Sequence, residues 1–176
     1  MDVTDATFEA EVIERSKTEP VVVDFWAEWC GPCRALTPVL EEKTAEKGVT
    51  LAKVDVDANT QVALRYDVSG IPAVKAFRGG NVVAEFVGAL PPARVEAFLD
   101  ELTKPPVAER TDDPELRDAL EQKDYEGAFQ LLLDRLADDP QRKDEVRELM
   151  VELFAELGQE HPLASTYRRK LAAAVY

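Results

Sequence analysis

Residues 24–33 read DFWAEWCGPC. The stretch begins inside VVVDF (21–25), a continuous β-branched and aromatic run of the kind found in a strand covered on both faces. It ends on two cysteines separated by only Gly31 and Pro32, and the next residues, CRALTPVLEEKTAEK (33–47), carry a helical pattern. Cys30 therefore stands where a loop meets a helix N-terminus, and Cys33 lies in the first helical turn. Free N–H groups and the positive end of the helix dipole favour a thiolate at that place. A second sulfur three residues on can attack a mixed disulfide made by the first and release its partner. Three other readings of the pair compete on residues alone: half of a zinc site, an inert structural pair, and a CxxC kept without turnover. Zinc is short of ligands, since the chain offers two Cys and one His, His161. CxxC alone is a modest signal, and its position between a buried strand and a helix strengthens it.

Outward from this stretch, residues 4–17 place Phe8, Val12 and Ile13 on one helical face, with Thr4 or Asp5 as N-cap. Pro38 inside the 33–47 pattern predicts a kink. TLAKVDVD (50–57) reads as a second strand, and Asp57 as the cap of a short helix through Tyr66. IPAVKAF (71–77), the Gly79–Gly80 turn and VVAEFVG (82–88) predict a hairpin, and PPARVEAFLDEL (91–102) a closing amphipathic helix. The order α-β-α-β-α-β-β-α implies an α/β fold, a mixed central sheet flanked by helices. TKPPVAERTDDP (103–114) then shifts composition, so 1–102 is read as one domain and 103–113 as a linker. Residues 114–176 show no strand signal and predict a small all-α module of about four helices, over 114–122, 125–137, 142–157 and 162–175. Tyr125, Phe129, Leu132 and Leu136 form one apolar stripe, and Leu149, Leu153 and Leu157 another; such stripes serve first as core. His161, before Pro162, reads as a surface or capping residue.

Composition narrows the function classes. The chain has 176 residues, 32% charged and 45% hydrophobic, with a net charge of −14. Up to Lys104 there are 11 basic and 18 acidic residues, and beyond it 10 and 17, so neither part is a basic tail. This argues against nucleic acid and anionic membrane as partners, both of which call for clustered Lys and Arg. Two cysteines exclude a disulfide-stapled scaffold. Residues 1–20 are acidic and amphipathic without an apolar run, and no stretch approaches the length of a membrane span, so a cytoplasmic chain with thiols held reduced is expected.

VVVDFWAEWCGPCRALTPVLEE, LAKVDVDAN, YDVSGIPAVKAF and FVGAL together resemble thioredoxin, over about residues 1–102. The resemblance implies that Cys30 attacks, that Cys33 resolves, and that Asp24 is the buried acid assisting proton transfer at Cys33, with Lys53 its partner on the neighbouring strand. It implies that Pro72 is a cis-proline aligning an extended substrate. Trp29, Gly31, Pro32, Ile71 and Gly88 resemble the rest of the substrate-binding rim. No cofactor or metal is implied beyond the Cys30–Cys33 dithiol/disulfide. Burial in an apolar strand independently predicts a raised Asp24 pKa, opposed by a charge such as Lys53. Lys75 departs from the usual apolar character of its strand and weakens the case for a general-purpose thioredoxin.

LEQKDYEGAFQLLLDRLADDP (120–140) resembles a tetratricopeptide (TPR) helical hairpin. With LFAELGQEHPLASTYRRKLAAAVY and IPAVKAFRGGNVVAEFVGA it makes nearly the whole chain resemble thioredoxin-plus-TPR co-chaperones of the YbbN/CnoX type, the chaperedoxins. That resemblance implies a protein-disulfide oxidoreductase and co-chaperone acting on unfolded or oxidised client proteins, with a thioredoxin reductase as donor and foldase chaperones such as a chaperonin or Hsp70 as recipients. Two rivals stay open: a redox-independent holdase or binding module, and an ordinary thioredoxin with a stabilising helical extension.

Overall fold

The computed structural model describes residues 1–158 and 161–175. The chain divides into two compact units, Met1–Lys104 and Pro105–Tyr176.

The first unit is built on four strands, β1 (Val21–Trp26), β2 (Thr50–Asp55), β3 (Ala73–Arg78) and β4 (Asn81–Val87), in the order β2-β1-β3-β4. β1 runs parallel to β2 and antiparallel to β3, and β3 antiparallel to β4. Val21, Val23 and Phe25 point to one face of the sheet, where Phe8 and Val12 join them; Val22 points to the other, against Leu36, Leu40, Val95 and Leu99. Each fully buried side chain of this size contributes about 1.5–3 kcal/mol. Helices α1 (Gly31–Lys47) and α3 (Pro92–Thr103) supply the second face, and α2 (Thr60–Arg65) follows β2. Phe8, Tyr66 and Phe77 form an aromatic triangle on the first face, with ring centroids 5.2–5.8 Å apart.

Two local expectations are corrected, the form of the first segment and the residue that Asp5 caps. The 4–17 segment is not a plain α-helix: it winds as a π-helix over Glu9–Glu14 and a tight 3-10 turn over Arg15–Lys17. Its end is pinned to the β3–β4 turn, where the Gly79 N–H donates to the Ser16 carbonyl (2.6 Å) and the Gly80 N–H to the Ser16 hydroxyl (3.0 Å). Both glycines have positive φ, which L side chains rarely adopt. Asp5 does not cap its own segment. Its carboxylate instead accepts from the Gln61 and Val62 amides (3.3 and 2.9 Å) at the start of α2, the end that Asp57 was expected to cap. Helix α1 runs on through Pro38, which is exposed, and stops at Gly48 with φ +65°.

In the second unit, α5 (Pro114–Glu121), α6 (Tyr125–Asp138), α7 (Lys143–Leu157) and α8 (Pro162–Val175) answer to the four expected helices. Asp113 caps α5 by accepting from Glu115 and Leu116, and Asp124 caps α6 by accepting from Gly127. Phe129 sits between Phe154 (4.9 Å) and Tyr167 (5.0 Å), and Leu132, Leu136, Met150 and Leu153 complete the core. Both apolar stripes read from sequence thus serve packing. His161 is exposed and its Nδ1 accepts from the Leu163 amide, a capping role at α8. The expected 103–113 linker is corrected: Val107–Arg110 forms the short helix α4, and Val107 is fully buried in this core. Its N–H donates to Glu156 (3.0 Å), so one apolar residue in a Pro- and acid-rich stretch anchors the segment.

Candidate functional site

Cys30 is the N-cap of α1. It and Cys33 are joined as a disulfide, and the Cys33 N–H points at Cys30 Sγ (3.2 Å). The pair sits where β1 ends because Ala27 turns the chain: the Cys30 N–H donates to the Ala27 carbonyl (3.1 Å). Cys30 is 3% exposed and Cys33 fully buried, packed with Ala27 against Trp26, Val56 and Ile71. When the disulfide is reduced, a Cys30 thiolate faces the unsatisfied N–H groups of a 17-residue helix, whose dipole favours negative charge. Gly31 and Pro32 are exposed in the first turn.

The rim is assembled from other elements. Trp29 is 68% exposed, and its indole N–H donates to Asp57 (2.8 Å). Asp57 is therefore a tether for Trp29, not a helix cap, a role its position in sequence does not announce. The Ile71–Pro72 bond is cis. Pro72 is buried and its carbonyl accepts from Gly88 N–H (2.8 Å), tying the start of β3 to the end of β4. Val87 is exposed beside them. Lys75, the departure noted in the sequence, is matched across the hairpin by Glu85, with which it forms an ion pair.

Asp24 lies under α1, fully buried, in the middle of β1. Strand register sets it beside Lys53 on β2 and Val74 on β3. Its Oδ2 accepts from the Thr37 hydroxyl (2.8 Å), while Oδ1 is buried with no hydrogen-bond partner among the described residues. Lys53 stands beside Asp24 by register, and its ammonium bonds Glu41 (2.9 Å) and acts on Asp24 through space. Burial pushes the Asp24 carboxyl up to about 6, against the Thr37 hydrogen bond and the Lys53 charge, with Glu41 adding a small push upward. Cys33, Thr37 and Glu41 are spaced four residues apart and share one stripe of α1. Thr37 and Glu41 were not read as site residues, although that spacing after CGPC could have suggested them.

Among the described residues no group of three or more His, Cys, Asp and Glu is arranged to hold a metal ion. None of their helices is long and apolar enough to cross a membrane. The helical unit holds a cleft of about 300 Å³ between the 110–113 segment and α7, lined largely by charged side chains.

Compared with known proteins, residues 1–101 match the Thioredoxin family and residues 106–176 match a Tetratricopeptide repeat family. Thioredoxin C-2 of Corynebacterium nephridii is 44% identical over 103 residues, which cover 57% of this chain and 94% of that protein. Thioredoxin of Streptomyces clavuligerus is 48% identical over 93 residues, 52% of this chain and 85% of that one. The bifunctional thioredoxin reductase/thioredoxin of Mycobacterium leprae is 48% identical over 91 residues, 51% of this chain and 19% of that protein.

Proposed function

The chain belongs to the thioredoxin family over residues 1–101, with a tetratricopeptide repeat unit following it, and on that premise we propose that it is a redox co-chaperone. As a thioredoxin-type chain it is a protein-disulfide oxidoreductase, and the proposal concerns how it acts and on what. The observation that carries it is the union, in one chain, of a cysteine pair at a helix N-terminus with a second unit of a protein-interaction repeat.

In the proposed reaction the Cys30 thiolate attacks a client disulfide. A Cys30–client mixed disulfide forms and one client sulfur leaves as thiolate. Asp24 takes the proton of the Cys33 thiol, and the Cys33 thiolate attacks Cys30 Sγ. The Cys30–Cys33 bond forms, the second client thiolate leaves, and two electrons have passed to the client. Lys53 tempers the charge of Asp24 from its site on Glu41. Trp29, Gly31, Pro32, Ile71, Pro72 and Gly88 form the rim against which an extended client segment lies. A thioredoxin reductase restores the dithiol, and a relative that fuses both proteins supports that assignment. The chain works in the cytoplasm and passes clients to foldase chaperones.

The helical unit would hold clients by polar contacts. Its stripes are spent on its own core, and among its described residues Val151 is its one large apolar side chain that stands exposed.

Trapping tests this function. Cys33→Ser, expressed in cells, should accumulate disulfide-linked partners that are absent with Cys30→Ser. Many aggregation-prone partners would support the co-chaperone reading. A few defined reductases or peroxidases would reduce the chain to ordinary thioredoxin duty, and an empty trap would sink the client reaction.

A further inference from the structure

The resolving step has a proton to dispose of, and the two oxygens of Asp24 are not equivalent. One carboxylate oxygen, Oδ2, is held by the Thr37 hydroxyl at 2.8 Å. The other, Oδ1, is buried without a hydrogen-bond partner among the described residues. Thr37 stands one helical turn beyond Cys33 on the same stripe of α1, over the middle of β1. We infer that Thr37 is a positioning residue for the resolving step: its hydroxyl fixes Asp24 through Oδ2, favours the ionised carboxylate in a buried site, and reserves Oδ1 for the proton of Cys33. This rests on the proposed reaction above, in which Asp24 serves Cys33.

The surroundings leave the task to Thr37. β3 sets apolar Val74 opposite Asp24, and β2 sets Lys53 on the other side, its ammonium drawn off to Glu41 on α1. Asp2, beside Lys53, interacts with Lys53. On α3, Glu96 and Asp100 are engaged with Lys43 and Lys47. No cation touches the Asp24 carboxylate among the described residues. Among the described residues the hydroxyl is its one hydrogen-bond donor, and a hydrogen bond to the charged form favours that form. The proton moves from Cys33 Sγ to Asp24 Oδ1, and afterwards to water or to the departing client thiolate. Thr37 forms no bond to any reacting atom.

The test uses the full chain with Thr37→Val, which keeps the shape and loses the hydroxyl, and Thr37→Ser, which keeps the hydroxyl. The Asp24 carboxyl is titrated by carbon NMR in the oxidised protein, and insulin reduction is followed from pH 5 to 9. In Thr37→Val the Asp24 titration should rise by roughly one pH unit, the scale of one lost hydrogen bond to a charge. The acidic limb of the rate should move up with it, giving about a threefold to tenfold loss near pH 6 that closes above pH 8, with KM unchanged. Thr37→Ser should restore both curves, and its folding shows that the site tolerates substitution. A Thr37→Val protein with the wild-type titration, or with a shifted titration and a wild-type rate profile, overturns the inference. Asp24→Asn separates the two levels: a full rate and unchanged profile there removes Asp24 from the reaction, whatever Thr37 does to its titration.

Discussion

Asp24 and Lys53 occupy paired positions on adjacent parallel strands, yet their charged groups are bonded to different residues of the same helix. Lys53 is held by Glu41 at 2.9 Å and Asp24 by Thr37 at 2.8 Å. The buried acid is thereby left with a through-space cation and one neutral donor, and burial dominates its titration.

Glu41→Gln should reverse part of this. It removes a negative charge that raises the Asp24 pKa and releases Lys53 from its partner. Both changes favour the Asp24 carboxylate. The carbon NMR titration of Asp24 should move down from about 6. An upward move would show that the Lys53 charge reaches Asp24 only when Glu41 orients it.

Asp24 also imposes a pH dependence on stability. Its folded pKa, about 6, lies above the ordinary 3.8, so between these values the folded chain binds a proton that the unfolded chain has lost. The stabilising contribution is complete below pH ~4 and lost as pH rises through ~6. Asp24→Asn, uncharged throughout, should be more stable than wild type at pH 8 by about 2–3 kcal/mol, on the scale of 1.4 kcal/mol per pH unit. Denaturant melts at pH 4 and 8 measure it, and the advantage should shrink at the lower pH. Equal advantages at both pH values would assign the gain to packing.

What was legible in the sequence was whatever is local and periodic. The run from Val21 to Cys33 carries strand, loop and helix start in one reading, because burial on both faces demands apolar residues and a helix N-terminus demands a break. The helices of the second unit were legible from their apolar stripes, Tyr125 to Leu136 and Leu149 to Leu157. Side-chain choices between distant segments were not. Asp57 faces either a helix or Trp29, and its neighbours in sequence favour the helix; only the packed loop brings the indole to it. Val107 reads as linker because its anchor, Glu156, is 49 residues away. The thioredoxin resemblance makes Lys53 the partner of Asp24, and register does set them side by side, but the competing carboxylate comes from a helix above the sheet.

Asp5 gives the same lesson a magnitude. It accepts from Gln61 and Val62 at the start of α2, and its own N–H donates to Asn59 (2.9 Å), closing a reciprocal cap across more than fifty residues. Asp5→Ala should cost about 0.5–2 kcal/mol, as the loss of a helix cap does. Hydrogen exchange should locate the loss at residues 60–66. Unchanged protection there would mean that Asn59 suffices as the cap.

Phe129 tests the independence of the second core. Its ring lies between Phe154 and Tyr167 and is fully buried, so Phe129→Ala leaves a cavity where two aromatic contacts were. The expected cost is about 3–5 kcal/mol. No residue of that core belongs to the sheet cores of the first unit, so the loss should stay local. Hydrogen exchange on the full chain should show α6, α7 and α8 losing protection while β1 and β3 keep theirs. Reduction of a small disulfide at Cys30 should continue at its usual rate, because Cys30 and Asp24 belong to the first unit and Phe129 to the second. A parallel loss of protection in β1 would show that the units fold as one cooperative body.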